Sequence, residues 1–525
     1  MRTSRTKWWT SVLVALVLVA AACGGSGGTS GADGGGEPDP DGVLRIGTAL
    51  EFPGGIHLDP TQSYVNADLP WMQLVMGTLL RNTADGGVEP MMAESYEIVD
   101  PQTVRLTLRE GVTFTDGSAY DAEAVRAGLL RTRDEASPPT MASQQAAFRA
   151  LRDVVVDGPR ELTLRLDAPL AGELVNALAD REGVIVSPEQ AASAPEDIDT
   201  RAIGAGPYVV EEFREDFVSL RRNPDFFDAD SWQLGGVEFV ATPTGPTMQN
   251  ALLSGEVDMV IRVTDQQMNE LERDDRFTVT SAVTDRGYIA IVPCTGKPPF
   301  DDEAVRRALQ IGIDREGLVD LAFDGSAEPA HGFWPADHPH YNPAVEDIVT
   351  YDPDEARRLL EDAGATDVTF DLVYPSATAA YGRVGEVIQS QLGEIGLNAE
   401  IAPIRDLVSE FIEPQRAGAM MIPGSRTGID KYSRFFQEGS VQALCGRSRP
   451  EVMEAVAPAG GLAPDDPAVS EAFQEAELMI AENAWVVPLV YVPQFAVWSN
   501  DRVGGDPQFA RATNDLLFDT LYVTG

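Results

Sequence analysis

The sequence of 525 residues predicts an α/β fold divided into at least two lobes. Three observations carry this. Short runs of alternating apolar and polar residues recur between segments with helical spacing along most of the chain, as expected of strands and helices that share a core. The apolar share, 43%, is ordinary for a globular chain, yet the length exceeds what one hydrophobic core usually fills. Beyond Cys23 no apolar run approaches the roughly 18 residues of a spanning helix, so these elements are expected to pack on one another and not in lipid.

The N-terminus stands apart from that pattern. Arg2, Arg5 and Lys7 precede Trp8-Trp9, an apolar run from Val12 to Val19, and Ala20-Ala21-Ala22, the order of an export signal over residues 1–22. Cys23 follows and opens Gly24-Gly25-Ser26-Gly27-Gly28. A cysteine so placed resembles the bacterial lipobox, whose thiol takes up diacylglycerol, although Ala20 stands where that motif usually has Leu. Ordinary cleavage after Ala22, leaving a free thiol, is the alternative. Residues 23–42 are mostly Gly, Ser, Asp and Pro, too polar to offset their ordering entropy by burial, and read as a flexible tether.

Charge narrows the partners. Removal of Arg2, Arg5 and Lys7 with the signal would take the formal charge from −44 to −47. Such a surface repels nucleic acid and anionic headgroups, so any hold on a membrane is expected through the lipid.

From Val43 the elements follow in order. Val43 to Thr48 reads as the opening strand, and Val104 to Leu108 and Glu161 to Leu166 alternate as half-buried strands do. Asp121 to Arg133 places acids early and Arg late around an apolar stripe, which predicts a helix with its dipole complemented. Further helices are expected over Asp302–Gly312, Asp354–Ala363 and Gly382–Ile395, the second opened by Asp352-Pro353 and stopped by Gly364.

An ordered series of motifs runs through the same stretch. Leu58-Asp59-Pro60 is followed by Pro90 to Tyr96, then by Leu106-Thr107-Leu108-Arg109-Glu110-Gly111-Val112-Thr113-Phe114-Thr115-Asp116-Gly117. Gly204-Ala205-Gly206-Pro207-Tyr208, Pro298 to Asp302 with Val305 to Leu309, Tyr351-Asp352-Pro353 and Val486-Val487-Pro488-Leu489 complete it. The series resembles the family 5 extracellular solute-binding proteins, whose members take oligopeptides, dipeptides, nickel chelates or glycans. Each piece also has a plain structural use: Gly204, Gly206 and Pro207 suit a tight turn, and Pro488 an edge or hinge strand.

The resemblance implies an α/β, two-lobed periplasmic-binding-protein-like fold of type II, with ligand enclosed between the lobes. Lobe I is expected over 43–285 with 494–525 and lobe II over 286–493, the crossings lying near Thr284–Pro293 and Pro488–Trp498. It further implies a monomeric receptor of an ABC importer, exported, lipid-anchored at the outer face of the cytoplasmic membrane and passing a small peptide or peptide-like solute to a permease and ATPase. A nickel or other metal-chelate receptor, a glycan receptor, and a surface lipoprotein of the same fold used in signalling are the alternatives.

By the same resemblance the pocket draws on Tyr64, Asp68 and Trp71, on Tyr288, on Trp334, and on the loop Ser425 to Arg434, with Arg426, Asp430 and Tyr432. In peptide binders that loop supplies an Asp for the ligand's amino terminus; here either Asp430 or Ile429 aligns with it. Arg426, Lys431 and Arg434 concentrate positive charge that suits a carboxylate or phosphate, or else form a solvated face. His331, His338 and His340 can ligate a transition metal, while Pro335 and Pro339 equally mark an exposed loop. Neither a His-Glu-x-x-His motif nor a Walker-type loop occurs, and the one Ser-x-x-Lys, Ser4 to Lys7, falls in the signal; no enzyme chemistry and no cofactor are expected. Cys294 and Cys445 either pair in an oxidising compartment or stay as two buried thiols.

Overall fold

The computed structural model describes residues 36–525, apart from 49–56, 64–68, 137–144, 244, 262–264, 377–378, 425 and 444. The expected signal, Cys23, most of the tether, Tyr64 and Asp68 lie outside the described residues.

Two large sheets form the frame. The first has seven strands in the order Phe277–Ala282, Gln494–Ser499, Met259–Ile261, Val43–Thr48, Gly236–Ala241, Phe217–Arg222, Tyr208–Arg214. An antiparallel sheet of Ala93–Asp100, Thr103–Leu108, Glu161–Leu166 and Leu151–Val156 stands in the same lobe. The second large sheet runs Glu328–Pro329, Val487–Tyr491, Tyr288–Pro293, Ala419–Pro423, Val368–Pro375, Leu397–Ile404.

Side-chain alternation explains why these sheets sit between two layers each. Along Tyr288–Pro293, Ile289 and Ile291 enter one core while Tyr288, Ala290 and Val292 enter another. Ala419 and Met421 against Met420 and Ile422 do the same one strand away. In the first sheet Ala496 and Trp498 face one core, Phe495 and Val497 the other. A strand covered on both faces has no polar side to show, which is why Tyr288–Pro293 is a continuous apolar run with all six residues buried.

The chain changes sheet twice, and both crossings are short. It leaves the first sheet after Ala282 and joins the second at Tyr288; it returns from Tyr491 to Gln494. The crossings lie side by side, with the Val492 N–H donating to the Gly287 carbonyl at 2.6 Å. Gly287 is required by this approach, since a Cβ there would stand 2.8 Å from the Val492 oxygen.

Local signals were read at close range. The helix Ala122–Glu135 begins after Asp121, whose carboxylate accepts from the Ala124 N–H. Asp302 caps Glu303–Ile311 and Asp352 caps Pro353–Asp362 in the same way. The strand over Glu161–Leu166 has the expected limits, and the helix expected over Gly382–Ile395 runs over Ala379–Glu394. Two motif readings change. Gly204 and Gly206 do not have positive φ; they are small because the end of the helix Leu69–Met76 presses on them, with the Gly206 N–H donating to the Val75 carbonyl at 3.0 Å. Pro488 is not at a sheet edge but opposite a bulge, where the register shifts between Ile289 and Ala290, the position at which a missing N–H costs least.

Cys294 and Cys445 form a disulfide, with Cα atoms 5.3 Å apart. It ties the end of a central strand to a loop that turns through two left-handed residues, Cys445 (φ 63°) and Gly446 (φ 74°). The bridge closes a sequence separation of 151 residues, for which chain entropy allows up to about 5 kcal/mol. Replacing both cysteines by Ser is expected to lower the free energy of unfolding in urea by a large part of that amount, and with it the midpoint; an unchanged midpoint would show that the bridge leaves stability untouched.

Candidate ligand-binding cleft

The two lobes face each other across a cleft in which the centre of a water molecule can move over about 70 Å³. Its first-lobe wall is the helix Ala171–Leu178, through Gly172, Glu173 and Asn176, together with Asp180 and Thr513. Trp334, His338, His340, Thr427, Gly428 and Phe473 form the second-lobe wall. Asp285 and Arg286, from the first crossing, close the back.

The aromatic wall is held from behind. The Trp334 ring stacks on Phe473 at 5.5 Å and on His338 at 4.5 Å. Its Nε1–H donates to the Tyr432 hydroxyl at 2.8 Å, and that hydroxyl donates to Glu477 Oε1 at 3.0 Å. Glu477 Oε2 accepts the Phe333 N–H at 2.7 Å. Lys431 lies with Nζ 3.6 Å from the centre of the Trp334 ring and donates to the Phe333 carbonyl at 2.7 Å. Burial raises the Glu477 carboxyl and lowers the Lys431 ammonium, each partly offset by the other.

Both cleft histidines are neutral. Burial foremost, then the cations Lys431 and Arg511, push His340 down to about 3; His338 falls further from the same burial, with His340, Arg511 and Lys431 adding to it. The His338 Nδ1 accepts the His340 backbone N–H at 3.1 Å, so its proton is on Nε2, 3.6 Å from Asp285 Oδ2. His340 Nδ1 pairs with the Ser470 hydroxyl at 2.9 Å. His338 thus spends Nδ1 on that bond and turns Nε2 toward Asp285, and among the described residues no group of three or more His, Cys, Asp or Glu side chains is arranged to hold a metal ion.

Arginines set the charge at the back of the cleft. Burial would raise Asp180, but Arg286, with Nη2 at 2.6 Å, and Arg181 hold it well below the usual carboxylate range. Arg511 reaches Asp285 through Nε at 3.3 Å and grips Asp337 of the second lobe through both terminal nitrogens, at 3.0 and 2.6 Å.

Nearer the mouth the lobes touch directly. Glu173 Oε1 accepts the Ile429 N–H of the second lobe at 3.1 Å, while Asp430 Oδ2 accepts the Ala146 N–H of the first lobe at 3.3 Å. A Cβ on Gly172 would overlap the Leu462 carbonyl, and Cβ atoms on Gly460 and Gly461 would crowd Leu170 and Pro101. Backbone rests on backbone here, and Leu170 packs against the cores of both lobes.

Of the residues expected at the pocket, Trp334 lies on the cleft wall. Trp71 does not: it stacks on Phe239 at 4.3 Å inside the first-lobe core. Tyr288 stacks on Phe333 behind the wall, and Tyr432 is buried among Trp334, Phe473 and Glu477. Arg426 and Asp430 are buried beside each other next to Thr427 and Gly428; Lys431 is buried too, so neither Arg426 nor Lys431 forms the solvated face considered for this loop. Glu173, Asn176, Asp180, Asp285, Arg286 and Phe473 were not anticipated. An Asp-Arg pair inside an expected crossing was the available signal for Asp285 and Arg286; the others carry no local signal.

Residues 87–433, more than half of the chain, match the model of the bacterial extracellular solute-binding proteins, family 5. The glutathione-binding protein GsiB of Salmonella paratyphi A is 28% identical over 323 residues, 60% of this chain and 61% of that protein; the match thus spans about three-fifths of this relative's length. Among solved structures, the ABC transporter substrate-binding protein CtaP of Listeria monocytogenes superposes with a TM-score of 0.78 at 20% identity, over 92% of this chain and 100% of that one. A dipeptide-binding protein of Pseudoalteromonas sp. SM9913, solved with Met-Leu, gives 0.76 at 20% identity over the same shares. These two likenesses establish the fold, a type II periplasmic-binding-protein architecture. On the extent of the family match, the chain belongs to family 5 of the bacterial extracellular solute-binding proteins.

Proposed function

We propose that this protein is the receptor of an ABC importer, not an enzyme, and captures a small peptide or peptide-like solute between its lobes for delivery to a permease and ATPase. The observation that carries the reading is the cleft itself, walled by both lobes and backed by the crossing residues Asp285 and Arg286. At about 10–15 Å³ of centre volume and about 30 Å³ of liquid per water, the space corresponds to roughly five to seven waters, on the order of 150–200 Å³ of ligand. That is the size of one or two amino-acid residues and too small for a long peptide in this closed arrangement. The wall chemistry suits such a ligand: a Trp and a Phe offer stacking surface, and Glu173, Asn176, Asp180 and Thr513 offer polar contacts. Of the ligands in the names of the relatives, a dipeptide is the nearer to this size, and glutathione, a tripeptide, would need the lobes further apart. A nickel-chelate reading is less well supported, because His338 spends Nδ1 on the His340 backbone N–H and faces Asp285 with Nε2.

The same reading places the mature chain outside the cytoplasmic membrane, held by lipid on Cys23 and working as a monomer. Cys23→Ala expressed in a lipoprotein-processing bacterium is expected to move the protein from the membrane fraction to the soluble exported fraction; retention in the membrane would remove the anchor.

A panel of dipeptides, glutathione and single amino acids tests the ligand. Binding to the folded state alone adds about 2.7 kcal/mol at a hundredfold excess over Kd, so at least one member is expected to raise Tm by several degrees. A flat response across the panel counts against a peptide-like cargo. Closure can be tested without knowing the cargo. Gly172→Val puts branched carbon into the Leu462 carbonyl, so the variant is expected to keep its circular dichroism yet scatter as a more open particle at small angles, with any ligand-induced compaction lost. Wild-type compactness in the variant would refute this contact.

A further inference from the structure

Two carboxyls meet across the closed mouth. Glu173 comes from the helix Ala171–Leu178 of the first lobe, and Asp430 from the start of the helix Asp430–Phe436 of the second. Each accepts a backbone N–H of the opposite lobe, Glu173 from Ile429 and Asp430 from Ala146. These bonds exist only while the lobes are together, so closing brings the two acids within each other's field, buries Asp430 and leaves Glu173 only partly exposed, on the cleft wall. Arginines neutralise the other cleft carboxyls: Asp180 has Arg286 and Asp285 has Arg511. Glu173 has no such partner among the described residues.

We propose that closing the cleft takes up one proton onto the Glu173–Asp430 pair, so that the strength with which the lobes hold together is set by external pH. The proposal rests on the receptor reading, in that the lobes must open and close. Charged groups around the pair favour Glu173 as the site. Burial raises Asp430 as well, but Arg426, from the loop before the second-lobe helix, and Arg149, from the first-lobe helix Ala146–Arg149, both face it and partly offset that rise by favouring its anion. The charged group acting on Glu173 is Asp430, which repels. Burial foremost, and then Asp430, push Glu173 up to about 8 in the closed form, whereas a carboxyl facing water titrates near about 4.3.

The sign follows from linkage. The closed form binds the proton more tightly than the open form, so the contribution is fully present below the open-state value and is lost as pH rises through the closed-state value. Between pH 7 and pH 9 the ratio of closed to open protein is expected to fall by about tenfold. Lys431, Glu477, Glu182, Asp285 and Asp430 are also shifted by burial, and a variant must separate them from Glu173.

The test uses the ligand-free protein, so its outcome is independent of whether any cargo is found. Small-angle scattering and amide exchange at Ala146 and Ile429, corrected for intrinsic rates, are measured at pH 7 and pH 9. The wild type is expected to open and lose protection at both amides, while Glu173→Gln, which keeps an acceptor for Ile429 and cannot ionise, stays equally protected at both pH values. Asp430→Asn removes the repulsion and is expected to move the transition to lower, not higher, Glu173 titration. No opening of the wild type between the two pH values, or the same opening in Glu173→Gln as in the wild type, overturns the proposal. Should Glu173→Gln fail to fold by circular dichroism, an unshifted transition in Asp430→Asn overturns it alone.

Discussion

The arrangement depends on one constraint: the chain passes between its two sheets twice, and the two passages lie against each other. Val492 bonds to Gly287 where they meet, Ala282 pairs with Gln494 on the first-lobe side and Tyr288 with Tyr491 on the second. A pair of strands joined in this way resists stretching and shear but bends readily, because bending alters a few dihedral angles and few packed contacts. The strands that flank the crossing in the second sheet, Tyr288–Pro293 and Val487–Tyr491, are buried along their whole length and cannot absorb the motion. Movement of the lobes is thereby confined to the residues that also form the back of the cleft.

Charge buried at that point has to be balanced locally. Lys431, Glu477, Asp285 and Asp180 are all withdrawn from water, and an unpaired ion there would cost several kcal/mol. Pairing is achieved across elements far apart in sequence: Asp180 with Arg286, Asp285 with Arg511, and Lys431 among Phe333, Trp334 and Glu477. What the network provides is orientation. Trp334 is bonded at Nε1, covered by a cation on one side and stacked against Phe473 and His338, which leaves its ring a single position on the wall.

This division explains what could be read from the sequence. Helix caps at Asp121, Asp302 and Asp352 were legible because a cap and the N–H it accepts are two or three residues apart. The motif series gave the fold because each motif is local and their order is fixed. Where Trp71, Tyr288 and Tyr432 sit is not legible for the opposite reason: an aromatic ring fills a core as well as it lines a pocket, and no neighbour in sequence says which. Glu173 meets Ile429 over a separation of 256 residues and Asp430 meets Ala146 over 284. Nothing in the stretch Leu170-Ala171-Gly172-Glu173 marks it as one half of a mouth.

A receptor that must release its cargo cannot close too firmly, and the contacts across this cleft are of kinds that contribute little. The glycine contacts at 172, 460 and 461 provide shape and touch few side chains, Leu170, Ile429 and Pro101 among them. The two carboxyl-to-amide bonds exchange water for protein, worth about 1 kcal/mol each, and once Glu173 has lost its proton its repulsion with Asp430 opposes them. Arg511–Asp337 also spans the lobes, but the Asp337 side chain is 75% exposed, and an ion pair so open to solvent contributes at most about 1 kcal/mol. The stronger pairs, Asp180–Arg286 and Asp285–Arg511, sit at the pivot and need not break when the mouth opens. Closed and open forms are then separated by a few kcal/mol at most, within the range that one bound ligand can supply, since moving an equilibrium from 1:99 to 99:1 takes about 5.5 kcal/mol of differential binding. Weakness at the mouth and firmness at the pivot are therefore the two halves of one requirement.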